Sequence, residues 1–446
     1  MELPDDATTG IAVTRMHVKQ RGAPGPTFWR SVSALDVAGA RAQASTISER
    51  FFTDALAALV DGNSVGAEVL FHTLLRDPDP LISGRARIGM TVALDAQGKW
   101  QELAALRTEL PLPVAADKTP ASDTLGTFTD RAAVDSWASV LRDVPPVEVD
   151  APSAPETSRV LGSMIGTPIV RVEVNGRTHY FWLDTGATMS LLAADVAADC
   201  GVMPIVGDTL AIAAADGRIA ARPAIANIVR IGKVTIRNLP VAILDPNALR
   251  LDRRISNGRI VPVKLDGVIG SDVLRRLSVV LDMGAGTISL ARPAKPERDR
   301  SLGRRTLVWI GFPVVRLLTR DGRPVLFGLD TGADSTIVTD AWMDKTPDPR
   351  LSLARGSVDV LGAGHAGGLP VLQSVTVGDG EYVLKLRGVP IVQERRQTFV
   401  ALDGVLGADV LAHATLHMDI TNGLFSIRTP GAAPTVRDTG FVRVRP

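Results

Sequence analysis

The sequence contains one cysteine, Cys200, among 446 residues. This excludes an internal disulfide and any cysteine-rich metal site. We interpret Cys200 as a small buried thiol, because an isolated cysteine usually packs as an apolar side chain. The 49 Lys and Arg residues nearly balance the 48 Asp and Glu residues, so the formal net charge is only +1. This balance, without any long basic run, argues against a nucleic-acid or anionic-membrane partner.

Long apolar runs are also missing. No run approaches the ~18–20 residues that a membrane-spanning helix requires. The first ten residues, MELPDDATTG, have neither the basic nor the apolar region of a secretory signal. We therefore expect a cytoplasmic protein, or a periplasmic or otherwise exported one if a leader precedes this sequence. A hydrophobic content of 45% with 22% charged residues is typical of globular proteins, and the length favours two or three domains.

The first third of the chain has a helical pattern. Apolar residues recur there at three- and four-residue intervals between about Ser45 and Pro111, with Gly, Asn or Asp-Pro between the runs. The pattern predicts four helices in antiparallel pairs, and a further helix is predicted over Asp130–Leu141. The pairs weakly resemble a tetratricopeptide-like array. The Pro/Ala/Glu-rich stretch that follows is typical of a linker.

From Arg159 onward the pattern predicts strands and hairpins, with short Val/Ile/Leu runs, frequent Gly and Asn-Gly or Asp-Gly turns. This part is an internal duplication. Residues 165–187 (IGTPIVRVEVNGRTHYFWLDTGA) parallel residues 310–333 (IGFPVVRLLTRDGRPVLFGLDTGA). Downstream, LDGVIGSDVL (265–274) matches LDGVLGADVL (402–411) at eight of ten positions, and a predicted hairpin follows each. We predict a multidomain protein in which a helical domain precedes a bilobal all-β fold with pseudo-twofold symmetry.

The chain is predicted to divide into an N-terminal segment (1–44), the helical repeat-like domain (45–143), the linker (144–158), the first lobe (159–292), an inter-lobe connection (293–303), the second lobe (304–430) and a C-terminal tail (431–446).

The repeated stretch carries a carboxylate at the end of an apolar strand, Asp184 in the first copy and Asp330 in the second. A carboxylate in such a position is costly unless it is hydrogen-bonded or shared. Two copies related by a pseudo-twofold axis would bring the carboxylates within ~3 Å, where they hold one proton between them. Such a pair can deprotonate a water with one oxygen and protonate a carbonyl or an amine with the other. No metal, covalent intermediate or other cofactor is required.

Asp-Thr-Gly, followed downstream by two apolar residues and Gly270 or Gly407, resembles the signature of the aspartic proteases. The resemblance implies a pepsin- or retropepsin-like fold in which each lobe supplies one aspartate. It implies that Thr185 and Thr331 brace the two loops by hydrogen bonds, and that the downstream strands thread beneath the loops. The remaining loop residues would support the active site: Gly186, Ala187, Gly332 and Ala333. The resemblance covers about residues 160–430.

The stretch DTGADSTIV is closer to the retroviral type than to the pepsin type, in which Ser or Thr usually follows the glycine. Two predicted hairpins, 211–223 and 360–372, are candidate flaps, one in each lobe. Their turns carry the candidate flap residues Asp216, Gly217, Gly364 and His365. We therefore favour a single chain of two fused retropepsin-like lobes. The alanines Ala187 and Ala333 offer no hydroxyl to the carboxylates, so we expect the pair to work in mild acid or near neutrality.

Alternatives remain at the level of sequence. Asp184 and Asp330 are turn-capping residues if the lobes do not face each other. The protein is a silent peptide-binding module if it binds peptides without cleaving them, with the helical domain recruiting a partner. The helical domain is regulatory if it occludes the cleft. Because both aspartates are in one chain, a monomer is expected, with a peptide or protein substrate as its partner.

Overall fold

The computed structural model describes residues 11–15, 27–109, 137–163, 166–205, 209–214, 217–254, 260–294, 305–345, 356–360, 364–379, 382–392, 399–412 and 414–428. It consists of helices near the N-terminus followed by two barrel-like β lobes. This is the predicted order of helices and strands.

Six helices lie within residues 27–109, and polar caps start most of them. Thr46 forms a capping box with Glu49, and Asn63 and Asp79 cap the next two helices by accepting from backbone N–H groups. Gly98 ends the longest helix in the left-handed conformation, with φ of 69°. The helices are α1 Phe28–Ser33, α2 Val37–Gln43, α3 Ile47–Val60, α4 Ser64–Leu74, α5 Pro80–Gln97 and α6 Trp100–Glu109.

Helices α3 to α6 lie where the four helices are predicted. Their lengths of 14, 11, 18 and 10 residues do not repeat, and the tetratricopeptide resemblance stays a prediction. Of the predicted helix over Asp130–Leu141, residues 137–141 are helical and the rest lies outside the described residues. Among the helices that the structure describes, none is both long and apolar enough to cross a membrane.

Most of the strands have three to eight residues, whereas β9, β10 and β23 have 15, 11 and 11. In chain order they are β1 Ile11–Arg15, β2 Glu148–Asp150, β3 Glu156–Arg159, β4 Leu161–Gly162, β5 Pro168–Val174, β6 Arg177–Leu183, β7 Ser190–Ala193, β8 Leu210–Ala214, β9 Gly217–Ile231, β10 Val234–Leu244, β11 Arg250–Arg254, β12 Ile260–Lys264, β13 Gly267–Ile269, β14 Ser278–Asp282, β15 Thr287–Ala291, β16 Leu307–Trp309, β17 Pro313–Thr319, β18 Pro324–Leu329, β19 Ile337–Thr339, β20 Gly356–Val360, β21 Gly364–Leu369, β22 Val371–Gly378, β23 Tyr382–Val392, β24 Gly404–Leu406, β25 Thr415–Asp419 and β26 Leu424–Arg428. Three short helices lie among them: α7 Ala194–Asp199, α8 Ser271–Leu274 and α9 Asp340–Lys345.

Each lobe is a closed barrel of six strands, and the two barrels have the same order. In the first lobe the order is β10-β7-β13-β6-β5-β9, and β9 closes the ring by pairing with β10. In the second lobe it is β23-β19-β24-β18-β17-β22, and β22 closes the ring by pairing with β23. Gly267 pairs with Phe181 in the first lobe as Gly404 pairs with Phe327 in the second. The two lobes therefore repeat the same pairing of strands as well as the same sequence pattern.

A five-stranded antiparallel sheet joins the lobes, in the order β26-β25-β14-β15-β3. The two hairpins predicted after the downstream motifs form its first four strands. Strand β14 of the first lobe pairs with β25 of the second, with Val280 opposite His417. The lobes are thus fixed to each other by backbone hydrogen bonds, away from the Asp-Thr-Gly loops.

Two segments contribute strands that the sequence does not predict. The segment 144–158, predicted to be a linker, supplies β2, which pairs with β10, and most of β3, which pairs with β15. In the N-terminal segment, β1 pairs with β23 of the second lobe. Edge strands this short acquire their conformation from the neighbour they pair with, so their own sequence predicts them weakly.

Candidate active site

Asp184 and Asp330 each follow the last residue of a barrel strand. Strand β6 ends at Leu183 and β18 at Leu329, and each lies parallel to the short downstream strand of its lobe. The Asp184 N–H donates to Ile269 O at 3.0 Å, and the Asp330 N–H donates to Leu406 O at 2.9 Å. The two loops are therefore held by equivalent bonds, and the carboxyl groups they present are buried, at 5% and 8% exposure.

Thr185 and Thr331 join the two loops by four hydrogen bonds. The Thr185 hydroxyl donates to Leu329 O at 2.7 Å, and the Thr331 hydroxyl donates to Leu183 O at 2.7 Å. Each hydroxyl also accepts from the opposite backbone, from Thr331 N at 3.0 Å and from Thr185 N at 3.1 Å. Water does not reach the four backbone groups in these bonds, so each bond supplies a buried backbone group with the hydrogen-bond partner that it needs. The geometry is the cross-brace that the sequence resemblance implies.

Gly186 and Gly332 leave the space that the opposite carboxyl group occupies. A Cβ built on Gly186 would lie 2.4 Å from Asp330 Cγ, and one on Gly332 would lie 2.3 Å from Asp184 Oδ2. Any side chain at either position would collide with the carboxyl group of the other lobe. The two Asp-Thr-Gly loops thus face each other, and Asp184 also accepts from the backbone N–H groups of its own turn, as a turn-capping aspartate does.

Burial raises the pKa of both carboxyl groups above the ordinary range. For Asp330 the negative charge of Asp184 adds to desolvation, so its pKa lies well above the ordinary value. Asp184 Oδ1 accepts two backbone N–H groups, from Gly186 at 2.8 Å and Ala187 at 3.1 Å. Asp330 Oδ1 accepts from Gly332 at 2.9 Å. Because the two carboxyl groups are coupled, their protonation belongs to the pair and not to either aspartate alone.

Gly270 and Gly407 lie where the downstream strands pass beneath the loops. A Cβ on Gly270 would lie 2.8 Å from Ala187 O, and one on Gly407 would lie 2.5 Å from Ser335 C. The next residue in each lobe bonds the loop itself, with Ser271 N and Ala408 N donating to Ala187 O and Ala333 O, both at 2.7 Å. The two glycines therefore allow the threading that the resemblance implies.

In each lobe one hydroxyl residue, which the sequence did not predict as part of the site, joins the loop to the downstream glycine. Gly270 N donates to Ser190 Oγ and Gly407 N to Thr336 Oγ1, both at 3.1 Å. Buried carboxylates accept from these hydroxyls, Asp272 at 2.8 Å and Asp409 at 2.7 Å. Burial raises the pKa of Asp272 to about 6. The signal was present in the sequence, because Ser190 and Thr336 occupy matched positions of the repeat.

The structure has hairpins at both predicted flap positions. Strands β8 and β9 pair in the first lobe, and β20 and β21 pair in the second. Gly217 is the first residue of β9 and Gly364 the first of β21, whereas Asp216 lies outside the described residues. The backbone of His365 is in β21, opposite Asp359. Their role as flaps stays a prediction.

Parts of the chain are similar to known proteins. The family model for the gag-polyprotein putative aspartyl protease matches residues 170–276, which contain the first Asp-Thr-Gly loop and its downstream motif. A retropepsin-like aspartic protease from Rickettsia conorii is 19% identical over 33% of this chain and 94% of its own, with a TM-score of 0.22. An aspartic proteinase from Irpex lacteus is 12% identical over 62% of this chain and 98% of its own, with a TM-score of 0.37. A search of curated proteins found no match. Residues 170–276 of this chain therefore resemble an aspartyl protease family, and the second lobe repeats the strand order of the first in the same polypeptide.

Proposed function

We propose that the protein is an aspartic endopeptidase that hydrolyses peptide bonds with a water activated between Asp184 and Asp330. The observation that carries the proposal is the mutual packing of the two loops, in which each carboxyl group occupies the space left by the other lobe's glycine. No second aspartate has to come from another copy of the chain. A monomer is therefore sufficient for catalysis.

The two aspartates have different parts in the first step. One carboxylate of the pair takes a proton from the attacking water. The other holds the shared proton and gives it to the carbonyl oxygen as the tetrahedral intermediate forms. The apparent pKa values belong to the pair, because one carboxyl group titrates in the field of the other. Thr185, Thr331 and the four glycines fix the distance and orientation of the two groups.

The substrate is an extended peptide held between the lobes, with backbone hydrogen bonds of the kind made by an added strand. The hairpins β8–β9 and β20–β21 are the proposed flaps that close over it, one from each lobe. The strands that pair with the loop-bearing strands, β5 and β17, are rich in Val, Leu and Ile, and apolar residues are therefore expected on both sides of the cleaved bond. The division of the chain into domains given above is part of the same proposal.

The test uses Asp184→Asn and Asp330→Asn in the full-length protein. Each variant should abolish cleavage of a peptide library, read by mass spectrometry, because neither carboxyl group performs both proton transfers alone. Asp143→Asn is the matched control, since its side chain is 87% exposed and lies outside the lobes. Near wild-type cleavage in both active-site variants would falsify the mechanism. Peptide binding without cleavage by the wild type would favour the silent binding module instead.

A further inference from the structure

The two lobes differ at a matched position behind the Asp-Thr-Gly loops. In the second lobe the buried Asp403 accepts from Leu326 N at 2.8 Å and pairs with Lys345 Nζ at 2.8 Å. Lys345 is the last residue of the six-residue helix α9. This ion pair supplies the positive charge that a fully buried carboxylate requires.

The first lobe keeps the carboxylate and loses the lysine. Asp266 accepts from Tyr180 N at 3.2 Å, and Tyr180 is the counterpart of Leu326 in the repeat. The last residue of the matching six-residue helix, α7, is Asp199. A second carboxylate therefore stands where the other lobe has its cation. Two negative groups at one position call for a positive partner.

The side chain of His179 lies between these two carboxylates. Its Nε2 is 3.1 Å from Asp199 Oδ2, and its Nδ1 is 3.5 Å from Asp266 Oδ2. Cys200 follows Asp199 directly and is buried, with 5% exposure. The ligand atoms of His179, Asp199 and Cys200 all lie within 4.8 Å of one another. Bonds of 2.0–2.3 Å to a tetrahedral zinc ion hold ligand atoms roughly 3.3–3.8 Å apart, so a small closing movement would complete the set.

We propose that the first lobe binds a divalent transition metal, zinc by preference, through His179 Nε2, the Asp199 carboxylate and the Cys200 thiolate. Nitrogen and sulfur ligands favour zinc over magnesium or calcium, which prefer oxygen. Asp266 Oδ2 lies 3.5 Å from His179 Nδ1, so a small closing movement would let it accept the Nδ1–H and hold Nε2 toward the metal. A water takes the fourth position on the side where Asp199 is exposed, with 51% of its side chain accessible.

The metal's role follows from the elements that it joins. It ties the end of α7 to β6, the strand that ends at Leu183 beside Asp184, as the Lys345–Asp403 pair ties α9 to the second lobe. Because a thiolate is the ligand, metal binding would release the proton of the Cys200 thiol. The site stabilises the first lobe and does not touch the reacting water.

The test is titration of the full-length, chelator-treated protein with Zn²⁺ and with Co²⁺. We expect one metal per chain, and a sulfur-to-cobalt charge-transfer band that disappears in Cys200→Ser. Asp266→Asn should weaken binding about 10–100-fold, as loss of a group that orients a ligand does. Asp195→Asn is the control on the same helix, because Asp195 pairs with Lys264, and it should bind like the wild type.

The second variant, Asp199→Lys, reproduces the arrangement of the other lobe. It should abolish metal binding while the protein keeps its unfolding temperature, because the introduced ammonium group would pair with Asp266 as Lys345 pairs with Asp403. Failure of the wild type to bind Zn²⁺ one to one would overturn the proposal and leave His179 between the two carboxylates without a metal. A cobalt spectrum unchanged by Cys200→Ser would overturn the ligand set.

Discussion

The hydroxyl of Thr185 offers the sharpest test of how the two lobes are joined. Thr185→Val keeps the shape of the side chain and removes one hydroxyl. That hydroxyl donates to Leu329 O at 2.7 Å and accepts from Thr331 N at 3.0 Å, and Thr185 is only 1% exposed. The substitution therefore leaves two backbone groups without partners in a place that water does not reach. At about 1–3 kcal/mol for each unpaired buried group, the loss is about 2–6 kcal/mol.

Thr185→Ser is the matched control, because it keeps the hydroxyl and removes only a methyl group. Its cost should be about 0.5–1.5 kcal/mol, the usual cost of deleting one buried methyl. The measurement is urea unfolding of the three proteins, with peptide cleavage as a second readout. We expect Thr185→Val to lose both stability and activity, and Thr185→Ser to keep most of both. If the two variants unfold within about 0.5 kcal/mol of each other, the hydroxyl does not brace the loops as argued.

Three further predictions concern the carboxyl pair. The pKa of Asp330 is raised in the folded protein, so the unfolded chain loses this proton at lower pH than the folded one. Between the unfolded pKa of about 3.9 and the raised folded pKa, the free energy of unfolding therefore falls by about 1.4 kcal/mol per pH unit. Asp330→Asn should therefore be more stable than the wild type at pH 7 and equal to it near pH 3, as thermal unfolding across pH will show; equal stability at pH 7 contradicts this. Gly332→Ala should lose cleavage, because its Cβ would lie 2.3 Å from Asp184 Oδ2, and retained kcat would contradict the packing. The wild-type kcat/KM should peak in mild acid or near neutrality, and Ala187→Ser with Ala333→Ser should shift the profile to lower pH; a wild-type peak well below pH 4 refutes that reasoning.

The repeat made the β half of the fold predictable. Two copies of one pattern at matched spacing predict two equivalent lobes, and the proposed chemistry would use one carboxylate from each. The threonine brace followed from the family resemblance. Ser190 and Thr336 were missed because a hydroxyl three residues beyond the loop has many local uses in a sequence. Only the structure shows that each accepts the N–H of the downstream glycine.

The His179 cluster was unpredictable for a different reason. Its ligands come from a strand, the end of a helix and the residue after it, and the aspartate stands 20 positions after the histidine. No spacing rule for metal sites describes such a set, so the sequence predicted no metal site. The strands β1, β2 and β3 escaped prediction because pairing with a distant partner, not local pattern, determines them.

The helices bear on whether the N-terminal region occludes the cleft. Phe52 of α3 packs edge-on against Phe399 of the second lobe at 6.0 Å between ring centroids. Arg275, after α8 of the first lobe, pairs with Asp95 of α5 at 3.0 Å and lies over the ring of Trp309. Deleting the helices would therefore expose an aromatic ring and break a largely buried ion pair. A slower truncated protein is the expected result of that damage alone, whereas only a faster one would support occlusion.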